Sequence, residues 1–234
     1  MGLLSALLKN RKANPVMAAA LKRGKSADQC KCIDFFLAPD VKKKKGCLKP
    51  TAWTSDNYCA PVQNGVDKLN LKQRAIEKIG LDESQISEIK PIYLSSFVRG
   101  SEYGKLSDDY TKYVTNKYSV TWIFFSATQI YTYTYILDTT SDNCVEHTRD
   151  FFYGDITCIR TEHEVEEVIN EVSKLGCLSF FKKKEAKFVH NNRHWDTLQI
   201  TVPNDAYSFC CRTTDTLEGS IQAAKAMIRE KKQA

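Results

Sequence analysis

The chain has 234 residues, is 42% hydrophobic and 26% charged, and carries a formal charge of +6. With a mean hydropathy of -0.41, these values describe a globular chain of one or two domains and exclude a disordered or membrane-spanning one. Its longest apolar runs, such as Trp122 to Ser126, fall far short of the roughly 20 residues a membrane helix needs. No hydrophobic leader with a small-residue cleavage site follows the start. The nine cysteines have no regular spacing, which argues against a disulfide framework and predicts a cytoplasmic protein.

Charge and aromatics divide the chain. Residues 1–64 hold 12 Lys and Arg against 4 Asp, a balance of +8, so the remainder sums to -2. Of the 25 aromatic residues, 15 lie between Tyr93 and Tyr153. The sequence therefore reads as a basic irregular extension over 1–64, a short helical pair over 65–90, and an aromatic β body with a terminal helix over 91–234.

In chain order, Leu3, Leu4, Leu7 and Leu8 form one face of a short helix, and a second helical patch runs through Val16 to Leu21. That first helix could dock on the protein's own core or lie on an anionic membrane surface. From Gly24 to Asn64, prolines 39, 50 and 61 predict loops with a short element at Ile33 to Leu37. Asn70 with Gln73 reads as a capping box, and Gly80 as a left-handed stop. Asp82 with Gln85 opens a second helix that must end before Pro91.

Beyond Ile92 the apolar period shortens to two. Strands are predicted at Tyr93 to Val98, Tyr118 to Phe125, Gln129 to Leu137, Val145 to Tyr153 and Asp155 to Arg160. Thr161 and Glu164 form a capping box ahead of a stripe at Val165, Val168, Ile169, Val172 and Leu175. These end signals select an inserted helix over 162–175, with strand the alternative left by the β-branched content. Cys177 to Phe181 and Lys187 to His190 read as short strands, Trp195 to Val202 and Tyr207 to Arg212 as a hairpin. Asp215 with Glu218 caps a final helix.

Candidate chemistry is sparse. Cys30, Cys32, Cys47 and Cys59 could hold a zinc ion that orders the basic segment. Their C-x-C spacing departs from paired C-x2-C motifs, and free cysteines are the competing reading. Lys42, Lys43, Lys44 and Lys45 form a candidate site for an anionic ligand, as does the run Lys182 to Lys184. Tyr131, Tyr133 and Tyr135 alternate along one strand and share a face, so they are either a partner-binding stripe or sheet packing. His190 and His194 have the i, i+4 spacing of a helical metal site, but Asn191 and Asn192 between them read as a turn. No phosphate-binding glycine loop, nucleophile elbow or H-E-x-x-H motif occurs. The chain is therefore predicted to be non-enzymatic, with no catalytic residue and no obligate cofactor.

The order of elements resembles the small barrels of the pleckstrin-homology-like superfold, including the GRAM and bacterial PH-like families. The matching pieces are the strand pair Ser119 to Leu137, the aromatic corner Phe151-Phe152-Tyr153-Gly154-Asp155-Ile156, the hairpin Leu198 to Arg212, and the helix Thr216 to Lys232. The resemblance covers roughly residue 92 to the end. It implies an α+β fold, an antiparallel barrel plugged by its C-terminal helix, that binds phosphoinositides, peptides or proteins. Its first inter-strand loop would hold Arg99, Lys105, Lys112 and Lys117 beside Glu102, Asp108 and Asp109, a mixture that argues against a strong anion pocket. The expected function is an intracellular binding or adaptor module for a protein, a peptide or an anionic membrane surface. The alternative is a nucleic-acid-associated protein binding through its basic N-terminal segment.

Overall fold

A computed structural model describes residues 15–37, 55–86, 89–106, 113–173, 186–212 and 214–233. Helices α1 (Pro15–Lys22), α2 (Ala27–Leu37), α3 (Ser55–Asp67) and α4 (Leu71–Ile79) precede a 3-10 turn at Glu83–Ile86. The strands are β1 (Ile92–Phe97), β2 (Gly104–Leu106), β3 (Tyr113–Thr115), β4 (Lys117–Phe125), β5 (Gln129–Asp138), β6 (Cys144–Phe152), β7 (Cys158–Ser173), β8 (Ala186–Val202) and β9 (Asp205–Cys211), followed by helix α5 (Asp215–Gln233). All pairing is antiparallel, in sheets ordered β1-β4-β5-β6, β2-β3 and β7-β8-β9. The expected α+β class with a C-terminal helix is present, but among the described residues the sheets are separate and form no closed barrel.

The central strands explain the layering. Along β4, Tyr118, Val120 and Phe124 point to one side, while Ile123 and Phe125 point to the other. The first set meets Cys32, Phe35 and Phe36 of α2, Tyr58, Val62 and Val66 of α3, and Leu71, Ala75 and Ile76 of α4. The second meets Leu198 and Ile200 of β8, Phe209 of β9, and Ile221, Ala224, Met227 and Ile228 of α5. The four-stranded sheet is thus the middle layer, with helices on one face and a hairpin plus helix on the other. On the face shared with Ile123 and Phe125, the Thr121 and Thr134 hydroxyls meet at 2.9 Å across β4 and β5, so both polar groups are satisfied although buried.

Several expectations are corrected. The stretch 24–64, read as loops, contains α2 and α3. Helix α2 has its own capping box: the Ser26 amide donates to Gln29 Oε1 at 2.9 Å and the Gln29 amide to Ser26 Oγ at 3.2 Å. Pro61 lies inside α3, where burial of Tyr58, Val62 and Val66 offsets the missing donor. The box expected at Asn70 is not made, because Asn70 takes a left-handed backbone and caps nothing with its side chain. Gly80 does end α4 at φ 75°, its amide donating to the Ile76 and Glu77 carbonyls. Asp82 and Gln85 bond as expected, but they initiate only the 3-10 turn. The helix predicted over 162–175 is the strand β7 as far as Ser173, and no turn separates His190 from His194 on the continuous β8. The leucine face at 3–8 and the strand at 177–181 lie outside the described residues.

Two contacts fasten the helical layer. The Tyr58 hydroxyl donates to the Thr115 carbonyl at 2.7 Å and shares a 2.8 Å bond with Thr139 Oγ1, while its ring stacks on Phe35 at 4.9 Å. Helix α4 is held by Arg74 and Lys78, both ion-paired to Glu146 of β6, with Arg74 also over the Tyr135 ring at 5.6 Å. Although burial acts in the opposite direction, hydrogen bonds from Lys78 and Tyr133 and the Arg74 charge hold the Glu146 carboxyl below the usual carboxylate range.

Replacing Tyr58 by Phe keeps the ring and removes its hydroxyl from a buried carbonyl, and is expected to cost about 1–3 kcal/mol in urea unfolding. Glu146→Gln is expected to cost about 1 kcal/mol at pH 7. Because the folded carboxyl titrates below its unfolded value, this stability is present above the unfolded pKa and is lost as pH falls through the folded one. Urea curves for wild type and Glu146→Gln should therefore converge on acidification, and a gap that stayed constant below pH 3 would contradict the assignment.

Candidate functional site

Among the described residues β1 is hydrogen-bonded in its sheet to β4 alone, so its outer edge pairs with no described strand, although β9 packs close to β1. Beside that edge lies a cleft of about 750 Å³. One wall is α3, with Ser55, Asp56, Cys59 and Gln63; the floor is Tyr93 to Phe97 of β1. The far wall comprises Tyr113 of β3, His194 and Asp196 of β8, and Cys211, Arg212 and Thr214 where β9 leads into α5. Residues from both faces of β1 contribute, because the cleft follows the strand's edge.

Packing fixes these walls. Tyr93 lies against Trp122 with ring centroids 5.0 Å apart, and Phe97 against Tyr118 at 5.0 Å. On the opposite face of β8 from His194 and Asp196, the Arg193 guanidinium sits 3.7 Å from the Tyr113 ring centroid and Trp195 meets the same ring edge-on at 5.8 Å. The β2-β3 ribbon thereby supports the β7-β8 ribbon and sets where His194 and Asp196 stand. Gly104 permits this: a Cβ there would fall 2.1 Å from the Tyr113 hydroxyl.

Electrostatically the cleft is mixed. Its described lining holds Asp56 and Asp196 with one guanidinium, Arg212, among hydroxyls and aromatic rings. On β7 and β8, His163 Nδ1 is 2.6 Å from Asp196 Oδ1, and His163 Nε2 is 3.3 Å from His194 Nδ1. The register explains the meeting, since His163 lies directly opposite Asp196 while His194 lies opposite Val165, one diagonal step away. Spacing within a single segment could not reveal this trio.

The residues singled out from sequence fall elsewhere. Cys30 and Cys32 lie on α2 and Cys59 on α3; Cys47 is outside the described residues, as are Lys42 to Lys45 and Lys182 to Lys184. Burial pushes the Cys32 thiol up to about 11, which opposes the thiolate a zinc ligand requires. Among the described residues no three His, Cys, Asp or Glu side chains converge as a metal-binding group. Tyr133 and Tyr135 are buried under the helical layer and Tyr131 packs beside them, so the stripe is engaged within the chain. Arg99 pairs with Glu164, Lys117 with Glu102 at 2.8 Å, and Lys105 donates to the Phe35 carbonyl at 3.3 Å.

Thiol reactivity should follow the same geometry. Burial, reinforced by nearby Asp196, pushes the Cys211 thiol up to about 12, whereas Cys144 and Cys158 are exposed. Brief iodoacetamide treatment of the folded chain at pH 7.5, read by peptide mass spectrometry, should label Cys144 and Cys158 and spare Cys32 and Cys211. Labelling of Cys211 as fast as Cys144 would show that the cleft wall is open.

No family model matches this chain, and neither a curated protein nor a solved structure does.

Proposed function

We propose that this protein is a non-enzymatic binding module that captures an extended peptide segment of a partner protein along the outer edge of β1. The observation that carries the reading is the outer edge of β1, which pairs with no described strand and runs beside a cleft of about 750 Å³. Main-chain groups at such an edge can pair with an added strand, while neighbouring pockets receive alternate side chains. Tyr93 and Phe97 supply apolar area, and Ser95, Ser96 and Gln63 supply adaptable polar contacts.

The charge pattern favours a peptide over an anionic head group. A phosphoinositide pocket gathers several cations, but among the described residues this lining has Arg212 as its one Lys or Arg, together with two aspartates. The scaffold reading remains the pleckstrin-homology-like one. Antiparallel sheets with a C-terminal helix across the second core agree with it, and peptide capture is a use to which that superfold is put. The expected setting is intracellular; among the described residues no helix is long and apolar enough to cross a membrane.

Selection from a random dodecapeptide display library tests the reading. Enriched peptides should shift backbone amides of Tyr93 to Phe97 and of the chain from Cys211 to Leu217. They should bind Ser96→Trp, which fills the cleft, at least tenfold more weakly, and lose little affinity between 50 and 500 mM salt. Peptides that map elsewhere or bind Ser96→Trp unchanged would overturn it. So would anionic vesicles that bind the protein more tightly than any peptide and release it steeply with salt.

A further inference from the structure

We infer that His163 and His194 form a chelating site for a borderline divalent transition-metal ion, of the zinc and nickel class, at the rim of the cleft. Asp196 is its positioning residue. The inference stands on the geometry of the β7-β8 ribbon and is independent of what the cleft binds.

The tautomer comes first. Asp196 Oδ1 lies 2.6 Å from His163 Nδ1, and an ionised carboxylate only accepts, so the proton of His163 is on Nδ1 and its Nε2 carries a lone pair. That arrangement, a carboxylate fixing one ring nitrogen so that the other faces a metal, is the orienting contact seen around metal-bound imidazoles. The lone pair then faces His194 Nδ1 at 3.3 Å.

The distance also suits a shared ion. Two imidazole nitrogens bound at about 2.0–2.1 Å to one tetrahedral ion stand about 3.3–3.4 Å apart, which is the separation found here. Without metal, the same contact is a hydrogen bond from His194 Nδ1–H to His163 Nε2. With metal, the His194 proton moves to its own Nε2 and both freed lone pairs bind, so the ring stays neutral and no co-reactant is needed. The ring centroids are 5.3 Å apart with planes at 29°; a modest pivot of each ring turns facing lone pairs into converging ones. Imidazole pairs suit zinc, nickel and copper ions rather than calcium or magnesium, which prefer oxygen. The His163 side chain is 55% exposed and that of Asp196 18%, so an ion can enter while the orienting carboxylate stays sheltered. Two protein ligands leave positions open toward the cleft, which His194 and Asp196 also line.

The test uses the full-length reduced protein, labelled with 15N and titrated with Zn(II), and in parallel with Ni(II), which disfavours thiolate capture by comparison with zinc. Long-range proton–nitrogen spectra should show one equivalent of metal moving His163 Nε2 and His194 Nδ1 while His147 on β6 stays put. His163→Gln and His194→Gln should each weaken binding at least tenfold, and Asp196→Asn about tenfold, with unchanged thermal melts. Equal shifts in His147, or affinity unaltered in both histidine variants, would assign the metal to cysteines or to random surface capture and overturn the inference.

Discussion

Everything in this molecule is arranged around strands whose two faces are both covered. In β4 only Lys117 and Trp122 escape full burial, and its backbone groups can be satisfied only by β1 and β5 beside it. A slip of one residue in that pairing would exchange the two buried sets and drive Tyr118 and Phe124 toward α5. The unlike make-up of the two sets resists it: ring-bearing residues of β4 and β5 dominate the face beneath three helices, while on the face beneath α5 the same strands contribute Ile123, Phe125 and Ile130. Layer order, edge positions and cleft all follow from that asymmetry.

Much of this pattern was legible in the chain itself. The β4-β5 hairpin, the aromatic corner at residues 151–156 and the closing helix follow from period and end signals. For α5 the cap lies one residue early, since Thr214 Oγ1 accepts from the Leu217 amide at 3.2 Å. The shared face of Tyr131, Tyr133 and Tyr135 was also legible. Which layer that face meets was not, because α2 and α3, two of the three helices above it, were read as loops. The three prolines between Gly24 and Asn64 read as helix breakers and the Ser26–Gln29 start signal beside them was missed, while Pro61 lies within α3, where its cost is met by tertiary packing rather than by local propensity.

Strand β7 is the instructive failure. Val165, Val168, Ile169 and Val172 satisfy a helical stripe, and Thr161 with Glu164 a helical start, yet the segment pairs along its whole length with β8. Valine and isoleucine stiffen χ1 and fit a pleated surface, and a long complementary partner strand decided between two locally acceptable states. The cost of misreading it extends beyond one element. Once 162–175 is taken as a helix, the register that sets His163 opposite Asp196 and diagonal to His194 disappears from view. The trio is thus a property of pairing, carried by residues some thirty positions apart, and neither segment contains it alone.

The outer margin of the three-stranded sheet is β7 itself, and its chain reads Glu162, Glu164, Glu166 and Glu167 in close succession. An open strand flank invites a second molecule to zip onto it and propagate into fibrils. Two such flanks brought together here would crowd carboxylates against carboxylates, which natural sheet proteins use to keep flanks apart. The flank of β7 is thereby guarded against edge-to-edge association by its own charge.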